Sequence, residues 1–290
     1  MNIELEIKKI ALNYFKVSFD DIKIIKRFMG GMSNYTYLVK VKDTNYVIRK
    51  IGDKGLPIIN PKTEKDHLET IEPLNISSHF IYLNPENGDK ITSYIKGEAL
   101  SNDFINEDFK KVADILKKLH QSNLPGHDYE LEKRLNHYES LLTNKPTNKY
   151  YSLKDYWFKL YSLKYKESPK VLCHGDAQRS NFVKDPNGKI HLLDWEFTGL
   201  NDLYFDIASF GNIDFNDSII LLEKYLNKKP TKDEINKVRF YRMYQVLQWH
   251  IVAKYKEEEG LSEKLHLDFA KISNNYLIFA EVLYNNIKGD

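Results

Sequence analysis

Between Cys173 and Gly199 the chain reads C-H-G-D-A-Q-R-S-N-F-V-K-D-P-N-G-K-I-H-L-L-D-W-E-F-T-G, and its middle admits few conformations. In Asp185-Pro186-Asn187-Gly188 the proline fixes φ at the first corner and the glycine supplies a left-handed exit. A tight turn therefore joins two apolar runs, Phe182 to Lys184 and Ile190 to Leu193. Antiparallel pairing of these runs brings Asn181, just before the first, close to Asp194, just after the second. An amide oxygen and a carboxylate then face one site, a hard-oxygen set that suits Mg²⁺ beside phosphate. Asp176, on the loop opened by His174-Gly175, is placed to accept a proton from a hydroxyl.

The rest of the chain changes its hydrophobic period once. Residues 2 to 15 read as an amphipathic helix, Ile22 to Met29, Tyr35 to Val41 and Tyr46 to Ile51 as strands of a meander, and Thr63 to Leu74 as a helix. Phe80 to Leu83 and Lys90 to Tyr94 complete a sheet of about five strands. After Ile95-Lys96-Gly97 the period becomes helical. Asp108 to His120 lines up Phe109, Val112, Ala113, Leu116 and Leu119, and Leu131 to Leu142, Leu153 to Lys166, Asp217 to Leu226, Lys232 to Tyr255 and Ser262 to Asn286 also read as helices. The expected organisation is a small lobe over residues 1–95 and a mostly helical lobe over residues 96–290.

Composition narrows the partners. A chain of 290 residues is long enough for two lobes, and a formal net charge of +2 gives no mandate for nucleic acid or an anionic membrane. The single Cys173 excludes a disulfide within the chain and a Cys-only zinc site. No apolar run approaches the roughly 20 residues of a membrane span, and Met1 to Lys9 lacks a signal-peptide core. The expectation is a cytoplasmic protein, monomer or homodimer.

Taken together, H-G-D-x-x-x-x-N and L-L-D-W-E-F resemble the catalytic and metal-binding segments of the aminoglycoside phosphotransferase and choline kinase superfamily, relatives of the protein kinases. The resemblance implies an α+β, bilobal protein-kinase-like fold, with a five-stranded antiparallel sheet and a helix in the small lobe. It also implies ATP and Mg²⁺ as cofactors, with Asp176 as the base, Gln178 positioning phosphate, and Asn181 and Asp194 as metal ligands. By itself the turn Gly30-Gly31-Met32-Ser33-Asn34 reads better as a bare hairpin, but G-G-x-[ST]-N is similar to the family's nucleotide loop. Gly31, Ser33 and Asn34 are its expected nucleotide contacts. Arg49 is the expected phosphate-gripping cation, with Lys50 the alternative, because strand alternation lets only one of them face the cleft. Glu64 would pair with that cation, and Ser93 and Ile95 would present main chain to adenine.

The acceptor side resembles bacterial choline kinases in Asp194-Trp195-Glu196-Phe197, Asn201-Asp202 and Phe205-Asp206-Ile207-Ala208, and in the stretch Tyr241 to Gly260. This similarity implies an amino alcohol acceptor, choline foremost, held by Asp176, Glu196, Phe205, Tyr244 and Trp249. The family's second tryptophan is replaced by Val252, so Phe205, Tyr244 or Tyr255 would have to supply a ring. Trp249 itself fits either a core position or a wall for a cation. Ethanolamine, another amino alcohol, thiamine and an aminoglycoside stay open as acceptors, as does a non-catalytic nucleotide-binding pseudokinase. Protein phosphorylation is disfavoured by the short segment between Asp194 and Asp206 and the lack of an Ala-Pro-Glu run after it.

Overall fold

Alternating apolar residues in the first part of the chain build one sheet, with a helix laid on its face. The computed structural model describes residues 2–28, 34–52 and 54–289. Helix α1 (Ile3–Phe15) leads into β1 (Ile22–Phe28), β2 (Asn34–Val41) and β3 (Thr44–Ile51), followed by α2 (Pro61–Ile71), β4 (Phe80–Leu83) and β5 (Lys90–Ser93). The strands form a five-stranded antiparallel sheet in the order β1-β2-β3-β5-β4. Ile7, Ile10 and Ala11 of α1 pack on Val39, Ile48 and Ile91 of one sheet face. Helix α2 starts two residues ahead of the expected Thr63 and ends three short of Leu74. Pro61 occupies the first turn, and the Asn60 side chain accepts from the N–H groups of Lys62 and Thr63.

The second part is helical with short strands inserted where the chain turns. It contains β6 (Glu98–Ala99), α3 (Asp108–His120), α4 (Leu131–Ser140), α5 (Asn148–Leu160), β7 (Val171–Cys173), β8 (Phe182–Lys184), β9 (Ile190–Leu192) and β10 (Gly199–Asn201). Then follow α6 (Tyr204–Phe210), α7 (Phe215–Leu226), α8 (Lys232–Glu258), α9 (Leu261–Leu265) and α10 (Phe269–Gly289). The predicted hairpin is β8 and β9, with Phe182 opposite Leu192. Helix α8 opens on a capping box between Thr231 and Glu234 and runs through the core, flanked by α10.

Several expectations shift in detail. The helix expected from Leu153 begins a turn earlier, at Asn148, under the Thr147 cap, and passes into a single π turn at Tyr161–Tyr165. The run expected as one helix over Ser262 to Asn286 is two. His266 adopts a left-handed φ of 53°, and the Asp268 side chain accepts from Lys271 N to start α10 afresh. Strands β6, β7 and β10 and helix α6 lacked a predictive pattern, because runs of two to seven residues carry too little periodicity.

Trp157 of α5 is fully enclosed, donates from Nε1 to the Phe240 carbonyl at 2.7 Å, and stacks on the Phe240 ring at 4.3 Å. Trp157→Ala should therefore lower the unfolding free energy by about 3–5 kcal/mol. Urea unfolding followed by far-UV circular dichroism measures this, and a loss under about 1 kcal/mol would contradict the packing described.

Candidate active site

The site is assembled where β3, β5 and α2 of the small lobe face the loops around the β8–β9 hairpin. Arg49, near the end of β3, is 2% exposed, and its direct cross-strand partner is Lys90 on β5. Both cations converge on Glu64 of α2. Arg49 reaches its two carboxylate oxygens at 2.9 and 2.7 Å, and Lys90 Nζ lies 2.7 Å from Oε1. Burial pushes the Glu64 carboxyl up, but the charges of Arg49 and Lys90 outweigh it and hold the group at about 2. Lys50, the alternative to Arg49, turns the other way and lies 3.6 Å from Asp89. Alternation along β3 has decided between the two.

Across the cleft, Asp194 takes a left-handed φ of 69°, a conformation that costs a residue with a β-carbon about 1–3 kcal/mol and points to a constraint at this position. Its side chain is 43% exposed, with Oδ1 3.6 Å from Lys90 and 3.8 Å from Arg49. The backbone N–H of Leu193 donates to the Asn181 carbonyl at 2.8 Å, so the hairpin does bring Asn181 and Asp194 to adjoining corners. Asn181 Nδ2 donates to the Asp176 carbonyl oxygen at 2.8 Å and to Asp176 Oδ2 at 3.1 Å. That fixes the amide and turns Asn181 Oδ1 away from Asp176. A neutral amide oxygen and a half-exposed carboxylate with only long ion pairs fit a small hard dication.

Asp176 receives a second hydrogen bond, from Gln178 Nε2 at 3.1 Å, and Gln178 Oε1 accepts from Asn212 Nδ2 at 2.8 Å. Gln178, expected at the phosphate, is thus engaged with the carboxylate itself. Burial, then the charge of Asp194, pushes Asp176 up to about 7, against hydrogen bonds from Asn181 and Gln178 and the charge of Arg242. The loop carrying it is tightly constrained. Gly175 has φ of 82°, and a β-carbon there would lie 1.9 Å from the Phe197 carbonyl oxygen. His174 accepts from Asp176 N at Nδ1 and donates from Nε2 to the Leu193 carbonyl, bracing the loop against the hairpin.

Three expectations about the acceptor side require correction. Phe205 and Tyr244 are each 0% exposed. Phe205 packs against Tyr129, Tyr241 and Tyr244, and the Tyr244 hydroxyl donates to the Leu131 carbonyl, so both rings belong to the core. Glu196, expected beside a substrate cation, instead accepts from Arg49 Nη1 at 3.0 Å and from Asn34 Nδ2 at 2.8 Å. Burial, then the charge of Asp194, pushes its carboxyl up to about 8. Asn34 is thereby tied to Glu196, while Gly31 and Ser33 lie outside the described residues. Ser93 N donates to the His79 carbonyl, Ile95 is half-buried just beyond β5, and Trp249 is half-buried with its ring edge-on to Phe197 at 5.4 Å.

Sequence reasoning passed over Lys90, Arg242 and Asn212. Lys90 becomes visible only once the β3–β5 register is known. Arg242 is 4% exposed on α8, donates to Gln245 Oε1 at 3.1 Å and lies 5.9 Å from the Phe279 ring centre. Its signal was available: Arg242, Gln245 and Trp249 recur at helical spacing on an otherwise apolar stretch, a polar stripe inside a buried helix.

Similarity to known proteins agrees with this geometry. The family model for choline/ethanolamine kinase matches residues 25–275. Protein LicA of Haemophilus influenzae is 27% identical over 251 residues, spanning 80% of this chain and 73% of its own length. The crystal structure of choline kinase LicA from Streptococcus pneumoniae aligns over 100% of both chains with a TM-score of 0.80 at 23% identity. That of Plasmodium vivax ethanolamine kinase covers 96% of this chain and 88% of its own, with a TM-score of 0.74 at 20% identity. The expected α+β, protein-kinase-like fold class is borne out. Among the described residues no helix is long and apolar enough to cross a membrane.

Beneath the loop, Asp206 of α6 is fully buried and accepts from His174 N at 2.7 Å, Gly175 N at 2.8 Å and His120 Nε2 at 3.0 Å. His120, Cys173 and Asp206 cluster with candidate ligand atoms within 4.8 Å, but this carboxylate is consumed by main chain and burial pushes the Cys173 thiol up, so the trio is a hydrogen-bond junction. Burial pushes Asp206 up as well, and His120 and the other donors outweigh it, leaving the carboxyl below its ordinary value. A depressed carboxyl stabilises the fold above its unfolded pKa and loses that contribution as pH falls through its folded one. Asp206→Asn should cost about 2–3 kcal/mol at pH 7 and progressively less below pH of about 4. Denaturant titrations at both pH values test this, and a difference that does not shrink in acid would overturn the assignment.

Proposed function

The chain belongs to the choline/ethanolamine kinase family, phosphotransferases with an alcohol as acceptor, and we propose that it transfers the γ-phosphoryl group of ATP to the hydroxyl of choline. The observation that carries the transfer is the Asp176 carboxylate, held by Asn181 and Gln178 and close enough to Asp194 to feel its charge. Adenine pairs with main chain at the Ser93 carbonyl and at Ile95, since Ser93 N already donates to His79. Arg49 and Lys90, fixed by Glu64, face the phosphates. Asn181 Oδ1 and Asp194 would hold Mg²⁺, which would offset the negative charge of the phosphates.

The acceptor hydroxyl oxygen bonds to the γ-phosphorus as the bond from that phosphorus to the bridging oxygen of ADP breaks, and the hydroxyl proton passes to Asp176. Because the transition state is loose, Asp176 works mainly by orienting the oxygen in line. A carboxylate gripped on one oxygen by two amides presents the other to the incoming hydroxyl, which restricts the approach.

Choline is favoured by what α8 leaves available. The oxygen of Gln245 is taken by Arg242 and that of Gln248 by the Tyr129 hydroxyl at 3.1 Å, whereas the Trp249 ring stays half-exposed against Phe197. A quaternary ammonium has no N–H to donate and binds through ring faces, each contributing about 0.5–2 kcal/mol. Ethanolamine is the second reading. It rests on Val252, 1% exposed in the core where the family resemblance called for a second indole, so fewer rings are on offer.

Asp176→Asn should lower kcat by about 10²–10⁴-fold while leaving the KM for ATP near wild type. Unchanged turnover would remove Asp176 from the chemistry. A panel of choline, ethanolamine, thiamine and an aminoglycoside, with ATP and Mg²⁺, should give its largest kcat/KM for choline. A larger value for ethanolamine would overturn the choline assignment and keep the phosphotransferase.

A further inference from the structure

Helix α6 holds the loop at Asp176 from two sides. Upstream, Asp206 accepts from the main chain of His174 and Gly175. Downstream, beyond the last turn of α6, Asn212 Nδ2 donates to Gln178 Oε1 at 2.8 Å. Gln178 Nε2 in turn donates to Asp176 Oδ2 at 3.1 Å. The segment bearing Asn212 has little room to move. A β-carbon on Gly211 would lie 2.0 Å from Ser218 Oγ and 3.2 Å from the Asp214 carbonyl oxygen, so the turn is pressed against the start of α7.

An amide has two faces, and only one of them helps here. With Nε2 toward Asp176, Gln178 donates to the carboxylate; rotated by half a turn, it would set Oε1 against a carboxylate oxygen. The two orientations have nearly the same shape, so packing alone does not choose between them. Its two neighbours do so together: the Asp176 carboxylate, which only accepts, takes Nε2, and Asn212 backs that choice from the far side by meeting Oε1. Asn212 presents a donor to Gln178, which demands that Gln178 show its oxygen to Asn212 and its nitrogen to Asp176. Among the described residues Asn212 Oδ1 is buried without a hydrogen-bond partner, so the contact that Asn212 makes at this end is the one from Nδ2 to Gln178.

We propose that Asn212 is a positioning residue for phosphoryl transfer, acting through Gln178 to fix the donor that orients the Asp176 carboxylate toward the acceptor hydroxyl. The inference rests on the assignment of Asp176 as the group that receives that hydroxyl. The contact of Asn212 that bears on Asp176 is the one to Gln178, so its effect passes through one side chain.

Steady-state kinetics on the full chain with ATP, Mg²⁺ and the best acceptor of the panel provide the test. Asn212→Leu, similar in size but without a donor, should lower kcat by about 10-fold and leave both KM values within about twofold, as expected for a misoriented group outside the binding contacts. Gln178→Ala should lower kcat at least as much. In the Gln178→Ala background, adding Asn212→Leu should change kcat by less than about twofold, because the two changes break one chain of contacts. Asn212→Ala serves as a second variant if the leucine proves too bulky, with thermal melting to verify folding of each. Wild-type kcat in the single variants, or equal fold-losses from Asn212→Leu with and without Gln178, would overturn the inference while wild-type turnover leaves the phosphotransferase reading intact. Absence of wild-type turnover on every acceptor would overturn both.

Discussion

The cleft depends on the need to answer one buried guanidinium. Arg49 is 2% exposed, and a charge so deep is tolerated only when partners surround it. Glu64 pairs with both of its terminal nitrogens, Gly88 contributes a carbonyl at 3.1 Å, and Glu196 arrives from the other lobe. The first pair ties α2 to the sheet; the last ties the sheet to the segment after β9. Lys90 adds a second positive charge beside Glu64, so cations lie on the small-lobe wall of the cleft while Asp194 and Asp176 lie on the other. Buried pairs of this kind are poor sources of net stability, and their value here is geometric. They hold several charges of defined sign at fixed places along the cleft.

A second constraint acts through main chain. Gly175 can pass close to the Phe197 carbonyl only because it has no β-carbon, and Asp194 sits in a left-handed conformation that residues with one avoid. Both positions lie within a few residues of the groups they orient. Asp206 then receives the two N–H groups that this sharp path leaves exposed, deep enough that water could not replace it. The loop at Asp176 is therefore held at its backbone first and at its side chains second, by α6 and by the turn that follows it.

This explains which parts were legible in the sequence. The hairpin of β8 and β9, the sheet meander and helix α3 follow from local chemistry: a Pro-Asn-Gly corner, alternation, and a 3.6-residue stripe. The pairing of Arg49 with Glu64 followed from resemblance, and the choice of Arg49 over Lys50 needed only the facing of β3. Lys90 was hidden because its partner is set by cross-strand register, a long-range fact. Phe205 and Tyr244 were misread because an aromatic residue near a site has the same letter whether it lines the site or supports it. Helix α8 is buried nearly all round, so its sequence gives weak guidance about which face looks into the cleft.

The two halves of the site differ in how they can select a ligand. The proposed nucleotide side is crowded with paired charges whose partners are already fixed, an arrangement suited to the charge and spacing common to any nucleoside triphosphate. On the acceptor side, along α8, the amide oxygens of Gln245 and Gln248 are consumed inside the protein and Arg242 is buried beside them. An acceptor that needs hydrogen-bond acceptors for its ammonium group would have to displace one of these internal bonds and leave a buried donor unpaired, at about 1–3 kcal/mol. An acceptor that offers only methyl-covered positive charge to Trp249 incurs no such cost. Under the proposed placement of the acceptor along α8, selectivity between amino alcohols would follow from which polar groups the fold has already satisfied.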